Sequence, residues 1–350
     1  MRALVTGGCG FIGGHIVDKL LETGYDVTIL DCLESPTHRD GRPNYLQKKA
    51  RFIQGNILEK QKLVDALEDV QVIFHQAATG GFTDNISKYY EWNTLATARL
   101  WEVIEERKIH LKKFIVASSV AVYGEGKYTC ENCGIVFPFP REKEQLEKKA
   151  WEAVCPRCKK SLTPLATDET KAPHPLLHYS QSKYDQERIS LIMGKKTNIP
   201  VVALRYFLVY GPRQSLTNPY TGICSLFASA FLQEKNPSIF EDGLQTRDFI
   251  HVQDIVHANL FVLEKEEANN RVFNVGTGVP TSIKHVVNTI AKELEKSPEY
   301  NMDLKWRLGD VRHIYADISS LKALGFVPKI SFEEGIKEYI KWFKIMTQRG

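Results

Sequence analysis

The 350-residue chain has no apolar run approaching the ~18 residues of a membrane helix. It also lacks a low-complexity tract and an internal repeat. Charge of one sign is scarce: 46 Lys and Arg against 42 Asp and Glu leave a net +4. That balance falls short of a duplex-binding surface, so no nucleic-acid partner is expected, though it suits an anionic ligand such as a nucleotide. The N-terminus shows no long apolar stretch with a small-residue cleavage site, so a cytoplasmic protein is expected. What is present is globular in proportion, with 43% hydrophobic and 25% charged residues. A disordered tail, a collagen and a coiled coil are excluded. The length suggests about two domains, each able to bury a core.

Through the first 205 residues, short Val- and Ile-rich runs alternate with amphipathic stretches. Strands are predicted at 3–6, 26–30, 51–54, 72–74, 114–117 and 201–205, and helices at 12–23, 59–68, 86–108 and 179–193. Continuous apolar strands separated by helices imply a parallel sheet covered on both faces, a doubly wound α/β domain. Beyond 205 a smaller α/β region is expected, with helices at 218–235, 255–264, 282–294 and 332–344 and a strand at 271–275. Domain 1–205 and domain 206–350, with some segments of the latter returning to the first, are the expected units. Over fifty residues between Gly124 and Tyr179 break the rhythm and read as an inserted module, because a plain loop of that length is improbable in a compact domain.

Gly7, Gly10 and Gly13 lie between the first strand and the first helix. They permit a tight turn whose helix N-terminus presents N–H groups to a pyrophosphate. Asp31, at the end of the second strand, is placed to bond the adenosine ribose and to repel a 2′-phosphate, favouring NAD over NADP. Tyr179 and Lys183 are four residues apart and share a helix face. The same spacing occurs at Tyr45/Lys49 and Tyr123/Lys127, but only Tyr179/Lys183 opens a long helix after the strand that ends in Ser118-Ser119. A lysine ammonium ~6 Å from a phenol is worth roughly 2–3 kcal/mol at an effective dielectric of 20, about two pKa units. Tyr179 would then be a base, with Ser119 bonding the reacting oxygen. His251 and His257 are expected to pack or cap near the helix start at Asp254 rather than to catalyse.

With these motifs in order, the chain resembles the extended short-chain dehydrogenase/reductase family, within it the nucleotide-sugar epimerases and dehydratases. The resemblance rests on Thr6-Gly-x-x-Gly-Phe-Ile-Gly13, His75-Gln-Ala-Ala78, Asn93, Ser118-Ser-Val-Ala-Val-Tyr-Gly124, Tyr179-x-x-x-Lys183, Arg205-Tyr-Phe-Leu-Val-Tyr-Gly-Pro212, Arg247-Asp-Phe-Ile-His-Val252 and Phe273-Asn-Val-Gly276. It implies a Rossmann fold and a catalytic triad of Ser119, Tyr179 and Lys183. It also implies NAD contacts from Gly7, Gly10, Phe11, Ile12, Gly13, Asp31, Asn56, Ile57, Gln76, Ala77, Ala78, Asn93, Ser118, Tyr179 and Lys183. Substrate contacts are implied for Ser119, Asn218, Phe240, Arg247, Arg307 and Asp310, the last three toward the diphosphate and ribose. A homodimer through helices 86–108 and 179–193 is implied too. Two positions depart from the pattern: Asn56 replaces a usual acid near the adenine, and Leu208 replaces an asparagine near the diphosphate.

Family members that eliminate water across C5–C6 carry Asp-Glu directly after the triad hydroxyl, where this chain has Val120-Ala121. The resemblance therefore implies C4 epimerisation: transient oxidation to a 4-keto sugar and hydride return to the other face. The Cys pairs together with Ser180-x-Ser-Lys-Tyr-Asp-Gln-Glu187 resemble the dTDP-L-rhamnose 4-epimerase branch, acting on dTDP-L-rhamnose and dTDP-6-deoxy-L-talose. UDP-hexose or UDP-uronate 4-epimerisation is the alternative, a 4,6-dehydratase a weaker one, and a scaffold that binds sugar nucleotide and recruits a partner the non-enzymatic one.

Four of the seven cysteines form two CxxC pairs, Cys130/Cys133 and Cys155/Cys158, with 21 residues between the pairs. In a reducing compartment such pairs read as metal ligands rather than disulfides. Four thiolates make a closed tetrahedral zinc site of structural type. The module, 127–163, is expected to be zinc-ribbon-like. Its charged run (Arg141, Glu142, Lys143, Glu144) is mixed in sign, unlike a basic nucleic-acid stripe, and a lid or wall beside the active site fits its position between catalytic residues.

Overall fold

The computed structural model describes residues 1–35, 37–38, 41–80, 85–215 and 222–348. Seven parallel strands form the main sheet, in the order Arg271–Val275, Val201–Tyr206, Lys113–Ser119, Val72–His75, Arg2–Thr6, Asp26–Asp31, Arg51–Gln54. These runs are apolar along most of their length because helices cover both faces of a parallel sheet. One face packs Phe11–Glu22 and Val252–Leu263 against Val5, Ile29, Phe74, Ile115 and Leu204. The other packs Lys60–Ala66 and Ala96–Glu106 against Leu4, Ile73, Phe114 and Val201. From Arg2–Thr6 the chain runs first to one side of the sheet and then, at Val72–His75, to the other. That reversal opens a crevice at the carboxyl ends of these two strands.

The doubly wound sheet agrees with the sequence reading, and strand Arg271–Val275 lies at its edge beside Val201–Tyr206. The helix expected over 86–108 is interrupted: Ile86–Tyr89 passes through a wider π turn, Tyr90–Leu95, before Ala96–Glu106 continues. One π turn changes the helical period too locally for an apolar pattern to reveal. A third apolar cluster joins Gly222–Leu232, Ile283–Glu293 and Phe332–Thr347. Leu208 contributes to it from a short strand registered with Phe249, so an apolar side chain here serves packing. Among the described residues, no helix is long and apolar enough to cross a membrane.

The insert forms a small antiparallel sheet, Gly134–Val136, Lys127–Cys130, Thr163–Leu165, with a short helix Lys143–Glu147. Its core is small: Tyr128, Cys130, Val136, Ala153 and Cys155. The charged run is not uniformly solvated. Glu142, Lys143 and Glu144 are exposed, but Arg141 is 3% exposed.

Candidate active site

Gly7 adopts φ +68°, and a Cβ there would sit 2.9 Å from the backbone of Ala77. At Gly13 a Cβ would fall 2.2 Å from the Gly7 carbonyl oxygen. Both glycines therefore allow two backbone segments to meet at the mouth of the crevice. Helix Phe11–Glu22 begins there, with no side-chain cap and no acid in its first turn. This leaves its positive end open to an anion. Asp31 closes the neighbouring strand, its Oδ2 accepting the Cys9 N–H at 2.9 Å and its Oδ1 the Leu33 N–H at 2.9 Å.

The crevice widens into a cavity of about 970 Å³. Its walls bring together Gly7, Gly10, Phe11, Ile12, Gly13, Asp31, Asn56, Ile57, Gln76, Ala77 and Ala78 with Ser118, Ser119, Tyr179 and Lys183. Residues separated by 170 positions in sequence thus share one surface. These residues could hold a dinucleotide laid across the switch point: glycine turn at the pyrophosphate, Asp31 at a ribose, Tyr179 and Ser119 at the far end. Sequence reasoning missed Tyr89, Leu177, His178, Phe207 and Val209, which also line the cavity. Phe207 and Val209 belong to the Arg205–Pro212 motif without being marked as site residues by it; Tyr89, Leu177 and His178 carry no motif, and the fold places them here.

Tyr179 and Ser119 both line the cavity, and Tyr89 packs edge-on to the Tyr179 phenol with ring centroids 6.1 Å apart. Burial pushes the phenol pKa up, and the Ser119 hydroxyl opposes that shift. The sequence argument assigned the lowering to Lys183. Instead the Lys183 Nζ donates to Gln186 Oε1 at 2.7 Å. Burial pulls this ammonium down to about 7, with the Glu187 carboxylate opposing. Gln186 Nε2 in turn donates to Thr97 Oγ1 at 3.0 Å and lies 3.2 Å from His75 Nε2, whose other ring nitrogen meets Thr6 Oγ1 at 2.8 Å. The available signal for Gln186 was its position three residues beyond Lys183 on the same helix face.

Asn93 does not line the cavity. From the π turn its side chain clamps both backbone polar groups of Thr79 (2.7 and 3.0 Å) and donates to Ser182 Oγ at 2.9 Å. Ser118 Oγ donates to Glu187, which also forms a buried two-bond pair with Arg205. Asn56 ties its own loop through Leu58 N–H. His251 caps helix Val252–Leu263 and His257 packs against Phe261 and Phe326, as the sequence suggested.

Among the described residues, the expected substrate residues of the second region (Phe240, Arg247, Arg307 and Asp310) do not line that cavity. Arg247 is held by the carbonyls of Thr246, Val311 and Arg312 at 2.7–3.1 Å. The Arg307 guanidinium stands 4.9 Å over the Phe240 ring. Burial raises the Asp310 pKa, with Arg247 and Arg307 opposing. These four residues therefore form a second group. Asn218 lies outside the described residues.

In the insert, the sulfurs of Cys130, Cys133, Cys155 and Cys158 all lie within 4.8 Å of one another, and Cys130 Sγ and Cys158 Sγ are 3.5 Å apart. A tetrahedron of ~2.3 Å zinc–sulfur bonds sets its sulfurs about 3.8 Å apart, so the donor set fits. Backbone N–H groups of Cys158 and Arg157 aim at Cys155 and hold its thiol down to about 6.

Residues 3–276 match the NAD dependent epimerase/dehydratase family. The chain is 34% identical to the dTDP-L-rhamnose 4-epimerase of Burkholderia thailandensis, over 97% of this chain and 94% of that protein. It is 35% identical to a putative UDP-glucose 4-epimerase of Methanocaldococcus jannaschii, over 97% and 98%. Among solved structures it is similar to the UDP-glucuronic acid 4-epimerase of Bacillus cereus in complex with UDP-glucuronic acid and NAD. That match has a TM-score of 0.81 and 28% identity, over 99% and 100% of the two chains.

Proposed function

This chain belongs to the NAD dependent epimerase/dehydratase family, and from that premise we propose that it is an NAD-dependent nucleotide-sugar 4-epimerase. The observation that carries the reading is the cavity's supply of carboxylates. Among the described lining residues these are Asp31, tied to the glycine turn, and Glu34, paired with Lys88. Val120 and Ala121 follow Ser119, so the two positions after the triad hydroxyl supply no acid–base pair to eliminate water.

NAD, when bound, supplies acceptance and return of hydride at C4. The glycine turn and the first turn of Phe11–Glu22 would hold its pyrophosphate, and Asp31 its adenosine ribose. Tyr179 takes the proton of the C4 hydroxyl and later returns it to the same oxygen, while Ser119 donates a hydrogen bond there. Burial keeps the resting phenol protonated. With NAD bound, Lys183 would hold the nicotinamide ribose and would lower that pKa through its charge. Arg247, Arg307 and Asp310 hold the diphosphate and ribose of the substrate.

The dTDP-L-rhamnose/dTDP-6-deoxy-L-talose pair is the favoured substrate, supported by the Burkholderia relative and by the cysteine insert. UDP-hexoses or uronates are the second reading, favoured by the UDP-sugar complex among similar structures. C4 inversion read by NMR across dTDP-, UDP- and GDP-sugars separates the two. Tyr179→Phe should retain NAD and lower kcat about 10³-fold; near-normal turnover overturns the assignment. The insert carries a structural zinc, checked by one metal ion per chain in elemental analysis and its loss in Cys155→Ser. The enzyme is cytoplasmic, with an NAD domain over 1–205 and a substrate domain over 206–350, of which Val252–Leu263 and Arg271–Val275 return to the first. It pairs through the helices bearing Tyr90 and Tyr179, where Leu95 and Ile192 are exposed.

A further inference from the structure

The insert grips the substrate side of the molecule rather than the cofactor side. Arg141 enters from the insert and forms two hydrogen bonds to Glu241, at 2.8 and 2.9 Å. It also donates to the carbonyls of Trp151 and Asp310. Glu152, three residues before Cys155, reaches the opposite way. Its Oε1 accepts from Arg312 Nε and Nη2 at 3.0 and 2.6 Å, and its Oε2 meets His313 Nε2 at 3.1 Å. Arg312 is 0% exposed and is bonded as well to Glu241 and Asp242. Two guanidinium groups and three carboxylates thus close a network in which each half needs the other.

The network ends on the residues assigned to the substrate. The Arg312 and Val311 carbonyls hold the Arg247 guanidinium. Asp310 is gripped through its carbonyl by Arg141. Phe240, which carries the Arg307 guanidinium on its ring, directly precedes Glu241. Glu241 itself adopts φ +54°, a conformation an unsupported glutamate rarely holds.

We propose that the cysteine insert is a clamp on the nucleotide-diphosphate subsite, with Arg141 and Glu152 as positioning residues that fix Arg247, Arg307 and Asp310, so that metal binding sets affinity for the sugar nucleotide and leaves NAD binding unaltered. The inference rests on the epimerase reading of those three residues. A metal held by the four cysteines would close the knuckle behind Glu152, and an opened knuckle would free both ends of the clamp. The NAD side has its own supports in the sheet, the glycine turn and Asn93, and among the described residues none of these is hydrogen-bonded to the insert.

The experiment uses full-length protein in three forms: intact, stripped of metal under reducing conditions, and Glu152→Gln. Glu131→Gln, exposed on the insert and outside the network, is the control. Calorimetry with dTDP and with UDP, NAD content after purification, and KM and kcat are read for each. Metal removal and Glu152→Gln should each weaken nucleotide binding at least tenfold. KM should rise in Glu152→Gln with kcat within about twofold, NAD content should stay constant, and Glu152→Asp should recover part of the loss. Where stripping unfolds the chain, Glu152→Gln alone decides. Equal nucleotide affinity in intact and Glu152→Gln protein overturns the clamp, as does a parallel loss of NAD. Failure of the intact protein to bind either nucleotide overturns the epimerase reading beneath it.

Discussion

Behind Lys183 the protein is built from neutral partners; beside Arg247 it is built from charges. Thr6, His75, Thr97 and Gln186 form a relay under the catalytic helix, and burial, with the Lys183 charge, pulls His75 down to about 3, so its ring stays neutral around neutral pH. The Glu187–Arg205 pair is the ionic exception on that side. On the substrate side, Arg141 and Arg312 share Glu241 and draw in Glu152 and Asp242. His313, with Arg312, holds Glu152 down to about 2. Neutral relays cost less to desolvate and lose one bond at a time. An ionic net whose centre is buried, as Arg141, Glu241 and Arg312 are, fails harder, because removing one member leaves another buried charge short of a partner.

The comparison can be broken by experiment. Arg312→Leu leaves Glu241 and Asp242 without their shared cation and should cost ~3–5 kcal/mol in equilibrium denaturation. Gln186→Leu keeps the volume but strands the Lys183 Nζ and should cost ~1–3 kcal/mol. A larger loss from Gln186→Leu than from Arg312→Leu would reverse the argument. The smallest effect concerns pH. The Lys183 pKa is lowered to about 7 by folding, so between that value and its ordinary one the unfolded chain binds the extra proton. Stability from this group therefore rises with pH, and its destabilising effect is full below about pH 7. Lys183→Met should raise the Tm of NAD-stripped protein by about 2–4 °C near pH 6, with the gain fading toward pH 10. A gain that grows with pH would contradict a depressed lysine.

The ease with which each region could be read from sequence follows the same division. Strands such as Val72–His75 and Val201–Tyr206 announce themselves because both faces are buried and the run is continuously apolar. The glycine turn and Tyr179/Lys183 were legible because each motif is local. Gln186 was visible in spacing but lacked a partner until the sheet brought His75 beneath it. The clamp was illegible: Arg141 and Glu241 are 100 residues apart, and Glu152 and Arg312 are 160 apart. Arg141 sits in a run whose neighbours are solvated, so its burial contradicts its local pattern. The strands of the insert are three or four residues long, too short for alternation to register, and cysteine spacing was their one clear trace.

Asp31 carries a consequence for redesign. Its two oxygens already receive the Cys9 and Leu33 N–H groups, so the carboxylate proposed to meet the adenosine ribose is also the knot that ties the glycine turn to the neighbouring strand. Replacing it with a small or basic residue to admit a 2′-phosphate would loosen the pyrophosphate cradle in the same stroke. On the proposed reading, coenzyme preference is tied to the shape of the turn, and a lineage or an engineer changing one must supply a new acceptor for Cys9 before gaining the other.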